Sequence, residues 1–176
     1  MYRHRDLKRL FSPESVAIVG VSPNKNAFGS KTLANLELGG YAGKIFPISA
    51  KHQEIGGRTC YPSIKELPEA PDLVIIAVPR EAVEPVVIDC VSRGVGGIAL
   101  LSSGYAETGK VDRIAQQQRL VEIVREAHVR MIGPNCIGFL NYNLGLWRRS
   151  LMCLMRAGPA PTPSASSASR ARWHIR

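Results

Sequence analysis

The sequence predicts an α/β fold, a doubly wound parallel sheet of about five strands. Three observations carry that expectation. Apolar runs of β type recur at 16–21, 44–48, 73–78, 97–101 and 130–132. Most of them are continuous rather than alternating, as in strands buried on both faces. The segments between them carry helical spacing, and strands alternating with helices build a parallel sheet.

In SVAIVGVS at 15–22 the apolar run reaches Gly20, and a polar loop follows from Ser22. A helix-compatible segment opens near Gly29 and covers 30–38. Strand, turn and helix N-terminus in that order can cradle phosphate groups. The loop lacks the dinucleotide fingerprint GxGxxG, because Ser22 stands where its second glycine belongs. The second strand, 44–48, leads through Gly56, Gly57 and Pro62 into one helical turn at 63–67. The third strand is followed by a helix over 80–93, in which Ala82, Val83, Val86, Val87, Cys90 and Val91 recur at helical spacing. A helix over 111–127, with Ile114, Leu120, Ile123 and Val124 on one face, precedes the fifth strand. Right-handed crossovers give a Rossmann-like sheet with the expected order 3-2-1-4-5.

Composition narrows the function classes. The 176 residues are 45% apolar and 21% charged, enough for one domain with a core. No apolar run approaches the roughly 20 residues of a membrane span. The charged opening MYRHRDLK has no apolar stretch of the kind that marks a secretory signal. The four cysteines, at 60, 90, 136 and 153, form no CxxC pair, which argues against a zinc site or a disulfide scaffold and fits a cytoplasmic setting. The formal charge of +9 is mainly a property of residues 147–176, which hold six arginines and no acid. Residues 1–146 carry a net charge of +3, weak support for nucleic-acid binding by the folded part. The stretch 157–169 is rich in Ala, Pro and Ser and cannot build a core. The expected division is therefore a folded unit over 1–146 and a disordered basic tail over 147–176. That tail reads equally as a flexible extension or as an out-of-frame end.

Ligands of such sheets bind beyond the carboxyl ends of the strands. There the first loop offers Gly20, the Ser22 hydroxyl and a helix N-terminus. After the second strand an NAD site would place an acid for the ribose, yet 44–52 holds none and Lys51 stands there instead. A lysine suits a phosphorylated ribose. After the third strand, Val78 and Pro79 could wall an adenine ring, and Arg80 could meet a phosphate or lie exposed. After the fourth, Ser102, Ser103 and Gly104 permit close backbone approach, with Glu107 a candidate carboxylate or a plain surface acid. After the fifth, GPNCIG at 133–138 demands a specific backbone. Cys136 reads as structural or site-lining rather than nucleophilic, since no histidine has an activating place beside it.

Five motifs in order (SVAIVGVS, GKIFPIS with Lys51, DLVIIAVP, SSGYAE and RMIGPNCIG) resemble the CoA-binding domain of NDP-forming acyl-CoA synthetases. That group includes the succinyl-CoA synthetase α subunit and the ADP-forming acetyl-CoA synthetases, and LFSPESVAIVGVS with SSGYAE is more similar to the latter. The resemblance covers about residues 8–146. It implies coenzyme A as ligand. It also implies that Ser22, Pro23, Asn24, Lys25 and Lys51 hold the phosphates and nucleotide, and that Val78 and Pro79 flank the adenine. Ser102, Ser103 and Gly104 would follow the CoA chain, with Asn135 and Cys136 near its thiol end. In that family a later domain carries a phosphorylated histidine and an ATP-grasp domain or β subunit exchanges the phosphate. Nothing equivalent is matched here; the expectation is CoA binding without turnover, with no catalytic residue, unless partner domains supply the rest. The alternatives are a stand-alone CoA-binding protein and, from another class, an NAD(P)-binding protein.

Overall fold

The computed structural model describes residues 4–137; the expected basic tail at 147–176 lies outside the described residues. In chain order the regular elements are α1 (His4–Phe11), β1 (Ser15–Val19), α2 (Phe28–Leu38), β2 (Lys44–Ile48), β3 (Glu54–Ile55), β4 (Arg58–Thr59), β5 (Leu73–Ile76), α3 (Val83–Arg93), β6 (Gly97–Leu100), α4 (Val111–Glu126) and β7 (Arg130–Ile132). Short 3-10 turns occupy Ile64–Glu66, Arg80–Ala82 and Ala106–Thr108. The strands at 44–48 and 130–132 fall where the sequence places them. β1, β5 and β6 end one or two residues early, because their last predicted residues turn away into the loops at the carboxyl edge of the sheet.

The five-stranded sheet is parallel throughout, in the order β2-β1-β5-β6-β7. Numbered along the chain, its strands run 2-1-3-4-5. The doubly wound class, the strand count and the neighbouring pairs 2-1 and 4-5 match the sequence expectation of 3-2-1-4-5. The third strand, however, lies between the first and fourth rather than outside the second. Two features of the chain account for this. Pro47 sits within β2 and lacks a backbone donor, so β2 belongs at an edge. The chain then returns along that edge: Tyr61 forms a parallel bridge with Ile48, its N–H donates to the Pro47 carbonyl at 2.9 Å, and its carbonyl accepts the Ser49 N–H at 2.9 Å. β5, by contrast, is buried at all four positions, which only a central strand achieves.

Each strand divides its side chains between two cores. Val16, Ile18, Leu73 and Ile75 face α1 and α2, meeting Leu10, Leu33 and Leu36. Ala17, Val19, Val74, Ile76, Ile98 and Leu100 face α3 and α4, meeting Val83, Val87, Cys90, Leu120 and Val124. α1, which the sequence reading did not anticipate, sets Leu7, Leu10 and Phe11 at helical spacing in an otherwise polar and charged segment. It is held by tertiary contacts: Leu10 packs over Gly97, and the Arg9 Nε donates to an Asp72 oxygen at 2.6 Å. The other Asp72 oxygen accepts the Glu14 N–H at 2.9 Å.

Burial acts to raise the Asp72 carboxyl, but Arg9 and the backbone N–H groups outweigh it and hold the group below the usual carboxylate range. A depressed folded pKa gives stability that is present above the unfolded value and lost as pH falls through the folded one. Asp72→Asn is therefore expected to cost about 1–2 kcal/mol at neutral pH. In thermal melts the gap between variant and wild type should hold above about pH 5 and close below about pH 4.

Candidate functional site

The order of strands decides where a site can form. The crossover from β1 runs to one side of the sheet and that from β5 to the other, so the switch point lies between their carboxyl ends. β1 leaves this point through Gly20, whose φ is +98°. A Cβ at Gly20 would stand 2.3 Å from the Ala77 carbonyl oxygen. The N–H groups of Gly20 and Val21 donate to the Ile48 carbonyl at 3.1 and 3.3 Å, tying the loop to the end of β2. α2 then comes in close: a Cβ at Gly29 would lie 2.5 Å from the Gly20 oxygen.

Ser22 is fixed through its backbone. The Ser30 hydroxyl accepts the Ser22 N–H at 3.1 Å and donates to the Ser22 carbonyl at 2.7 Å. The Ser22 N–H and carbonyl are thus both committed inside the loop. Asn24 closes a turn by accepting the Asn26 N–H at 2.9 Å on its side chain. α2 begins at Ala27 with no side-chain cap and no acid in its first turn. Its opening N–H groups thus keep the partial positive charge of a helix N-terminus.

A cavity of about 500 Å³ occupies the switch point. Gly20, Ser22, Lys51, Val78 and Pro79 line it, so residues expected from three different strand ends come together. A second cavity of about 370 Å³ adjoins it, sharing Ala27, Ala77, Val78 and Pro79 and adding Arg80, Ser102 and Ser103. The Ser102 hydroxyl donates to the Val78 carbonyl at 2.5 Å, bracing the ridge between them. Arg80 is held by the Gln116 Oε1 at 2.6 Å and by Glu81, and so is not a freely solvated side chain.

Other predicted residues stand apart from these walls. Pro23, Asn24 and Lys25 are exposed on the first loop and line neither cavity. Gly104, Asn135 and Cys136 also line neither, although the Asn135 N–H donates to the Ser102 carbonyl at 2.9 Å and couples the last turn to the site. Glu107 holds its own loop in shape, since its carboxylate accepts the Gly104 N–H at 2.6 Å and the Tyr105 N–H at 3.0 Å. Those bonds, the Gly104 one foremost, hold its carboxyl below the usual range. Burial pushes the Cys60 and Cys90 thiols up, which makes both poor nucleophiles. Among the described residues no group of three or more His, Cys, Asp or Glu could hold a metal ion, and no helix is long and apolar enough to cross a membrane.

Several lining residues escaped the sequence reading. Pro62, Ser63 and Ile64 reach the larger cavity because the hairpin β3–β4 folds the chain back past β2. His52 and Asp89 line it as well. Phe28 edges the smaller cavity while 62% exposed. An aromatic side chain in a polar loop beside Gly29 was the available signal for that position.

A family model described as a CoA binding domain matches residues 14–142. The chain is 36% identical over 141 residues to the α subunit of an ADP-forming acetate–CoA ligase II of Pyrococcus furiosus, covering 80% of this chain and 30% of that subunit. It is 37% identical over 144 residues to the ADP-forming acetate–CoA ligase II of Archaeoglobus fulgidus, covering 82% of this chain and 21% of that enzyme. The dinucleotide-forming acetyl-coenzyme A synthetase 1 of Ca. Korarchaeum cryptofilum, solved with phosphate and ADP, superposes with a TM-score of 0.75 at 33% identity, over 82% of this chain and 30% of that one. The chain thus spans less than a third of the length of each of these relatives.

Proposed function

This chain belongs to the CoA-binding domain family, and from that premise we propose that the switch-point crevice binds coenzyme A for an ADP-forming acyl-CoA ligase. The observation that carries the reading is the pairing of an apolar-walled cavity with Lys51 at the end of β2. An unphosphorylated ribose would call for an acid at that strand end, whereas the CoA ribose bears a 3′-phosphate, which a lysine complements. Val78 and Pro79 offer a flat apolar surface to the adenine, and the uncapped start of α2 offers its N–H groups to the diphosphate. The smaller cavity, with Ser102 and Ser103, gives the pantetheine arm a continuous path.

The described residues hold no histidine in either cavity except His52, on the nucleotide side. We therefore assign this unit CoA binding and orientation, with phosphoryl transfer supplied by further ligase domains or by a partner subunit. A cytoplasmic setting fits Cys60, Cys90 and Cys136, which are joined in no disulfide among the described residues.

Calorimetric titration of the full chain with CoA, NADH and NADPH tests the assignment. CoA is expected to bind more tightly than either nicotinamide cofactor. Tighter NADH or NADPH binding would move the protein to the dinucleotide class.

A further inference from the structure

Asp89 is the one acid among the described residues that line the larger cavity, where Lys51 and His52 are the neighbouring basic groups. It follows Ala82 and Val86 in the cavity wall, and Val86 and Asp89, three apart in α3, share a helix face. Its Oδ1 meets the Lys65 Nζ at 2.8 Å, and the side chain is 27% exposed. Ile48, Ile64, Val78 and Val86 give the same cavity an apolar wall, beside the polar Ser49 and Ser63.

A carboxylate in a phosphate-binding cavity is a repulsive feature unless the phosphates lie away from it. The part of the ligand beside Asp89 must then be neutral, flat enough for an apolar slot, and able to donate a hydrogen bond. Within the nucleotide half of CoA, the adenine ring with its 6-amino group meets all three requirements. We propose that Asp89 accepts a hydrogen bond from that exocyclic amine, making it a specificity residue for the base and setting the direction in which the nucleotide enters. Lys65, itself largely exposed, ties the 3-10 turn at Ile64–Glu66 to α3 through this ion pair. This inference rests on the CoA reading above.

The test is titration of the full chain with CoA and with its 6-desamino analogue, in which purine replaces adenine. Wild type, Asp89→Ala and Lys65→Met are compared, with thermal melts to confirm folding. Wild type should prefer CoA roughly tenfold. Asp89→Ala should bring the ratio close to one, while Lys65→Met, which removes the ion pair but keeps the carboxylate, should leave it in place. An unchanged ratio in Asp89→Ala, or a ratio lost equally in Lys65→Met, overturns the assignment. So does a selective loss of discrimination against 2′-deoxy-CoA, which would put the carboxylate on the ribose. Failure of wild type to bind CoA at all overturns the CoA reading, and this inference falls with it.

Discussion

Replacing Lys51 with alanine is expected to erase the preference for CoA over 3′-dephospho-CoA. The wild-type chain should favour CoA by about ten- to a hundredfold, the range of a charge-assisted contact to a phosphate. In the variant the two ligands should bind with nearly equal affinity, and that for 3′-dephospho-CoA should barely change. The selectivity of this pattern is what matters, since a variant that merely loosened the fold would weaken both ligands together. Lys51 is exposed at the cavity mouth, so added salt should shrink the wild-type preference as well. Lys51→Arg keeps the charge and should retain most of it. Equal binding of the two ligands by wild type would remove Lys51 from the site.

The second large effect concerns the loop that frames the crevice. Gly20→Ala puts a methyl group 2.3 Å from the Ala77 oxygen and forces a side chain onto a backbone with φ of +98°. Ala77 cannot yield easily, because its N–H is itself bonded to the Val19 carbonyl at 2.9 Å. Overpacking against backbone and an unfavourable φ together should cost about 3 kcal/mol or more. For a domain of this size that lowers the melting temperature on the order of 10 °C. Gly29→Ala should be destabilising for a different reason. Its φ is ordinary, but its methyl would meet the Gly20 oxygen at 2.5 Å and lift α2 off the end of β1. A melting temperature for Gly20→Ala within a degree or two of wild type would show that the β1–β5 junction can open without cost.

These two positions also mark how far the sequence could be read. Gly20, Lys51, Val78 and Pro79 were legible because each stands at the end of an apolar run or just beyond it, and such residues in a parallel sheet gather at one edge. The motif set that resembles CoA-binding domains rests on the same loops. Pro23, Asn24 and Lys25 shared that local logic, yet the turn closed by Asn24 leaves them outside the cavity wall. Ser63 and Asp89 gave no local signal. One reaches the site through a hairpin that doubles back, the other from the middle of a helix whose facing is set by packing.

By itself the sequence determined the α/β class, the five parallel strands and the loops that carry the site, since burial on both faces leaves a continuous apolar run and each turn demands its own residues. Tertiary structure alone decided that β5 lies beside β1. That placement follows from edges and partners distant in the chain: Pro47 and the Tyr61 bridge close the outside of β2, and the fully buried β5 needs a neighbour on each side. It moves the switch point to the β1–β5 junction, and so decides which of the predicted loops face one another across a ligand.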